Sequence, residues 1–134
     1  MTSTQRNYSA LALEKVTDRF NTAELENKLA NIGDDVDNVT LKDTGTLKKL
    51  FSGNAIMVER KGERPYMIEP YATHIYSANS IPRSFDKSEG FYRRWLLIPF
   101  KAKFTVDDED YDPMIEDKIT EPTALSYLLN IGIR

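Results

Sequence analysis

The chain has 134 residues, 40% of them hydrophobic, which is enough for one ordinary domain with a real core and argues against bulk disorder. Lys and Arg number 18 against 21 Asp and Glu, a net charge of −3 that argues against nonspecific coating of nucleic acid but leaves room for a few basic groups lining a channel. The absence of cysteine excludes disulfides, Cys-based zinc sites and thiol nucleophiles, and a single His disfavours a His-rich metal site or a Ser-His-Asp hydrolase.

Residues 8–13 (YSALAL) read as a short buried strand, and 17–28 as short helical turns spaced by Phe20, Leu25 and Leu29. The small apolar run 29–33 (LANIG) closes on Asp34 and Asp35, the pattern of a central strand that ends in carboxylates. Residues 46–51 (TLKKLF) form a helical turn, stopped by Ser52-Gly53-Asn54 through a glycine at the C-terminal boundary. Runs 55–59 (AIMVE) and 66–68 (YMI) flank a Gly-containing polar turn with Lys61 and Arg64, which reads as a hairpin. Residues 73–78 (THIYSA) are a strand ending at Asn79, and 95–100 (WLLIPF), after Arg93 and Arg94, are the most apolar strand. An acidic stretch at 106–111 is expected to be solvated, and the end of the chain, from 113, is expected to be helical. No apolar run approaches bilayer length and no signal-peptide pattern opens the chain, so a cytoplasmic protein without membrane contact is expected.

An acidic pair at the carboxyl edge of a buried parallel strand suits nucleoside triphosphatase chemistry. One carboxylate serves the water shell of Mg²⁺ and its neighbour polarises the attacking water. In isolation such a pair also serves as a turn or helix cap. Asn79, at the tip of a second strand, has an amide suited to orienting water toward a γ-phosphate, and equally suits a turn before Pro82. Arg94 suits an arginine finger that reaches across a subunit interface, or a solvated basic pair with Arg93. Lys61 and Arg64 on a hairpin turn suit phosphate tracking, or plain solubility. His74 lies inside an apolar strand and reads as structural.

The order of these elements carries a family resemblance. Residues 28–36, with Lys28-Leu29-Ala30-Asn31-Ile32-Gly33-Asp34-Asp35, resemble the second acidic motif of superfamily 3 helicases in phage and plasmid primase-helicase proteins. The hairpin at 55–70 resembles the segment that follows it, 73–82 (Ile75-Tyr76-Ser77-Ala78-Asn79 and beyond) the signature Asn motif, and 90–100 (GFYRRWLLIPF) the arginine-finger strand. The resemblance runs from about Asn7 to the end.

What the resemblance implies is an α/β fold. It would be a partial AAA+ or P-loop-type core with a mainly parallel sheet, an inserted β-hairpin and flanking helices, occupying 1–134 as one partial domain with a helical region at 113–134. It implies an ATP- and Mg²⁺-dependent ring motor, a homo-hexamer acting on single-stranded DNA during replication in a bacterial or phage-infected cell. Asp34 and Asp35 correspond to the Mg²⁺ and water-activating carboxylates, Asn79 to the γ-phosphate sensor and Arg94 to the trans-acting finger. Arg93 matches the finger less well. Lys61, with Arg64, corresponds to the DNA-contacting hairpin tip. One departure is plain: no Gly-rich loop ending Gly-Lys-Ser/Thr occurs in the 134 residues. A partial core lacking the phosphate-loop strand, inactive by itself and binding no nucleotide firmly, is therefore expected. In it 95–100 would close against 73–78, or a second copy would pair there as a dimer. The alternatives are an ATPase-shaped interaction or regulatory domain without chemistry, and a small nuclease, for which a single acidic pair is too few acids.

Overall fold

The computed structural model describes residues 7–132, which divide between Leu97 and Ile98 into two compact units. In chain order the first unit contains β1 (Tyr8–Ser9), a 3-10 turn (Thr22–Leu25), β2 (Ala30–Val36), β3 (Thr40–Leu41), α1 (Thr44–Phe51), β4 (Ile56–Val58), β5 (Tyr66–Ile68), β6 (Thr73–Ala78), β7 (Arg83–Ser84) and α2 (Glu89–Tyr92). The architecture is mixed α/β, with the main sheet parallel.

That sheet has three strands in the order β1-β2-β6, and the register sets Asn31 beside His74 and Gly33 beside Tyr76. Side chains alternate across a strand, so Asn31, Gly33, His74 and Tyr76 share one face. The segment after β1 and Phe51 of α1 cover it, the Phe51 ring meeting His74 edge-on at 5.0 Å. The opposite face carries Ile32 and Ile75, 47% and 52% exposed, whereas parallel sheets are ordinarily covered on both faces. Among the described residues no further strand lies beyond β6 in this sheet.

β1 stops at Ser9, well short of the strand expected over 8–13, and the reason lies in Asn31. Its side-chain amide accepts from Leu11 N at 2.9 Å and donates to Leu11 O at 2.9 Å, so it takes both backbone groups that a strand ladder would use. Gly33 is required by packing: a Cβ there would lie 2.7 Å from Leu11 O and 2.9 Å from the Tyr76 ring. Since Leu11 O is backbone and cannot swing away, Gly33→Ala is expected to lower stability by about 1–3 kcal/mol, the usual cost of overpacking. Urea denaturation measures this, and a variant as stable as wild type would contradict the packing.

Residue pattern explains the local elements around the sheet. Asp43 caps α1, accepting from Thr46 N at 2.9 Å. Gly53, in the left-handed region at φ +66°, ends the helix with its N–H on Leu50 O and that of Asn54 on Lys49 O. β4 and β5 form an antiparallel hairpin that turns Ile56, Val58 and Ile68 into the core and leaves the cross-strand pair Met57 and Met67 outside. Three contacts tie the hairpin to the 3-10 region: Arg19 to Glu59 at 2.7 Å, Arg60 to Glu26 at 2.9 Å and the Tyr66 hydroxyl to Glu26 at 2.9 Å. β3 and β7 form a two-residue parallel bridge. The core runs through Leu13, Val16, Leu25, Val36, Leu47, Leu50 and Phe91.

Residues 95–100, expected as the most apolar strand, form no strand, and no closure against β6 occurs. The chain leaves α2 in a turn with Trp95 N on Tyr92 O, and the Trp95 ring packs on Phe51 and Phe91 at 5.4 and 5.5 Å. Pro99 removes a ladder donor, and apolarity alone does not make a strand without a neighbour.

The second unit holds α3 (Ile115–Thr120) and α4 (Pro122–Gly132). Asp112 sets up α3: Lys118 donates to its carboxylate and so does Met114 N, and the two hold the carboxyl below the usual range. On α4, Leu125, Tyr127, Leu128, Leu129 and Ile131 are all exposed. Among the described residues no helix is long and apolar enough to cross a membrane.

Candidate functional site at the carboxyl end of the parallel sheet

The two acids do not terminate β2. Between the pairs Gly33–Tyr76 and Val36–Ala78 the strand carries Asp34 and Asp35 where β6 has only Ser77, so the acids form a β-bulge inside the ladder. A bulge bends and twists its strand, and here it does so at the carboxyl end of a parallel sheet, where α/β proteins place their ligands. Asp34 is exposed there. Asn79 directly follows β6, one residue beyond the Val36–Ala78 pair, and is also exposed. The fold thus brings the bulge and Asn79 to one end of neighbouring strands.

The other sequence candidates lie elsewhere in the fold. Arg94 follows α2, its Nε donating to Ser52 Oγ at 2.8 Å and its Nη1 to the Gly90 carbonyl, while Arg93 is exposed. Lys61 and Arg64 are exposed on the hairpin turn, where Gly62 at φ +84° and a bond from Glu63 N to Arg60 O shape the tip.

Among the described residues no three acidic or imidazole groups converge on a point that would hold a metal ion. One exposed carboxylate at a sheet end fits the usual Mg²⁺ arrangement, in which the ion keeps several waters and takes its remaining ligands from substrate phosphates. The chain's sequence provides no Gly-rich loop for those phosphates.

Sequence reasoning missed the buried polar chain beneath the site. Asn31, fully buried, accepts from Ser9 Oγ at 2.8 Å and donates to the Tyr76 hydroxyl at 3.0 Å, in addition to its two bonds with Leu11. His74 Nδ1 lies 3.2 Å from that hydroxyl, and its buried Nε2 has no partner among the described residues. The signal was there to see: an amide in the middle of the apolar run LANIG must be hydrogen-bonded if that run is buried. Burial pushes the Tyr76 hydroxyl up to about 12 and the His74 imidazole down to about 4.

A pH prediction follows for His74. Its folded pKa lies below the unfolded value of 6.5, so its contribution is complete above pH 6.5 and is lost as pH falls toward about 4. The expected loss is about 3 kcal/mol. Urea unfolding across that window should show the decline in wild type and a flatter profile in His74→Gln. Parallel profiles would remove His74 as its source.

Asp86 was also overlooked. It accepts from Lys48 Nζ at 2.8 Å and from Ser88 N at 2.9 Å, which hold its carboxyl well below the usual range and join the loop after β7 to α1.

Over residues 1–94 the chain matches a protein family described as a family of unknown function, DUF5906. The chain belongs to that family. The DUF5906 match takes in both sheet strands that bear the site, the hairpin and α2, so Asp34, Asp35, Lys61, Arg64, Asn79 and Arg94 all fall within it. No curated protein matches the chain.

Proposed function

We propose that this DUF5906 chain is part of an ATP-dependent DNA-unwinding motor of the phage- and plasmid-type primase-helicase kind, working as a homo-hexameric ring on single-stranded DNA. The observation that supports this reading is the double-acid bulge beside Asn79 at the carboxyl end of a parallel sheet. Bound Mg²⁺ and ATP would supply the electrophilic phosphoryl group and its charge neutralisation. Asp34 would hold Mg²⁺ through its water shell, Asp35 would serve as the acceptor for the attacking water, and the Asn79 amide would orient that water. Arg94 contributes positive charge to the site of a neighbouring subunit.

The chemistry is tested by turnover. Purified chain should hydrolyse no ATP, because its sequence lacks the phosphate-cradling loop. Joined to a strand, a Gly-Lys-Ser/Thr loop and a helix ahead of residue 1, it should hydrolyse ATP and lose that activity in Asp34→Asn. No turnover in the joined protein would overturn this reading in favour of an ATPase-shaped interaction domain. The hairpin is tested separately. Lys61→Ala should weaken single-strand binding and flatten its salt dependence by about one counterion per subunit. An unchanged salt slope would take the hairpin out of the nucleic-acid path.

A further inference from the structure

Lys15, Arg19, Lys48 and Arg60 of the first unit are each paired with a carboxylate, on Asp18, Glu59, Asp86 and Glu26. Arg94 is held differently. Both of its acceptors, the Ser52 hydroxyl and the Gly90 carbonyl, are neutral, and among the described residues no carboxylate forms an ion pair with it. The bond from Nε to Ser52 Oγ orients the guanidinium, and no acceptor among the described residues takes the donors of Nη2. A carboxylate partner would orient the group and also cancel its charge. Neutral oxygens orient it and leave the charge in place.

The support beneath Arg94 is itself well fixed. Ser52 is the C-cap of α1, where the unpaired carbonyl end of a helix favours a cation. The turn at Gly53 sets the backbone that presents Ser52 Oγ. One residue away on each side, Phe51 and Trp95 meet edge-on at 5.4 Å, so the two segments are joined by an aromatic contact as well as a hydrogen bond.

We infer that Ser52 is a positioning residue that aims Arg94, through its hydroxyl, as a pre-oriented receptor for the phosphoryl oxygens of a nucleotide bound to a neighbouring copy. The nucleotide and the neighbour rest on the ATPase reading above; the orientation by Ser52 does not.

The test reads the Arg94 side chain by ¹⁵N NMR in the full chain, with inorganic tripolyphosphate as the probe. Wild type should show a slowly exchanging Arg94 Nε–H signal that tripolyphosphate shifts. Ser52→Ala should lose the exchange protection and bind the probe about 5-fold more weakly at Arg94, the factor that one hydrogen bond supplies. Ser52→Thr, which keeps the hydroxyl, should restore both. Arg94→Lys keeps the charge without the planar fork and should abolish the response at that position. Equal Nε–H exchange and equal probe affinity in wild type and Ser52→Ala would overturn the inference, as would a probe response confined to the hairpin lysine. Because these signals need no turnover, failure of ATP hydrolysis in the joined protein would leave a Ser52-dependent response at Arg94 standing, and the two failures are told apart.

Discussion

Exchanging Arg94 for alanine in a loop-containing, assembled ring is expected to cut ATP turnover by about three to five orders of magnitude, roughly 4–7 kcal/mol, with nucleotide binding almost unchanged. The size of the effect comes from where the charge acts. A guanidinium placed against a transferring phosphoryl group stabilises charge that exists only in the transition state, so binding of the ground state loses little. Arg94 also bonds Ser52 and Gly90, and a purely structural role must be separated from a catalytic one. Mixing Arg94→Ala subunits with Asp35→Asn subunits does this: a finger acting in trans restores part of the turnover at mixed interfaces. Without any restoration, Arg94 belongs to the packing between α1 and α2 and not to the reaction.

The second large effect is on stability. Asn31→Ala should cost about 3–5 kcal/mol, a sizeable fraction of the roughly 5–15 kcal/mol that holds an ordinary domain together. The side-chain amide joins all three strands of the parallel sheet and its flank, bonding Ser9 Oγ, both backbone groups of Leu11, and the Tyr76 hydroxyl. Its removal orphans the Leu11 N–H and carbonyl, each at the cost of a desolvated group without a partner, and opens a cavity beneath β2. Asn31→Asp keeps the volume but loses both donors and adds a buried charge, so it should be no better. Chemical denaturation of the two variants measures this. A loss in Asn31→Ala below about 1 kcal/mol would mean that water replaces the amide and that the network is not what holds the sheet.

Local pattern made part of this architecture legible. The apolar runs IMV and YMI on either side of a Gly-containing polar turn announced the hairpin, whereas the outward direction of Met57 and Met67 is visible only in the structure. Ser52-Gly53-Asn54 marked the end of α1 because the left-handed step there needs glycine. The acidic pair was visible, but its bulge was not: two acids in a row read as the end of a strand, and only pairing of Val36 with Ala78 shows that the strand continues. The shortness of β1 was out of reach for a similar reason. Apolarity over 8–13 is a local property, whereas the competition of the Asn31 amide for Leu11 arises 20 residues away. Residues 95–100 show the same limit, since strand formation there depends on a neighbour that the run itself cannot specify. The two-residue bridge between β3 and β7 has no periodicity to read at all. Ser52 drew notice only as a helix end, because its bond to Arg94 spans 42 residues of sequence.

Paramagnetic broadening reads out whether the bulge at Asp34 and Asp35 and the end of β6 form the proposed metal–nucleotide edge. Mn²⁺ with ATP, titrated into the ¹⁵N-labelled protein joined to the loop-bearing strand and helix, should broaden the amide signals of Gly33 to Val36 and of Ala78 to Ser80 together, and Asp34→Asn should reduce both sets. The acidic stretch at 106–111 serves as the internal comparison, since a cation attracted by charge alone collects there. Broadening confined to that stretch, with the carboxyl ends of β2 and β6 untouched, would rule out a metal–nucleotide edge there.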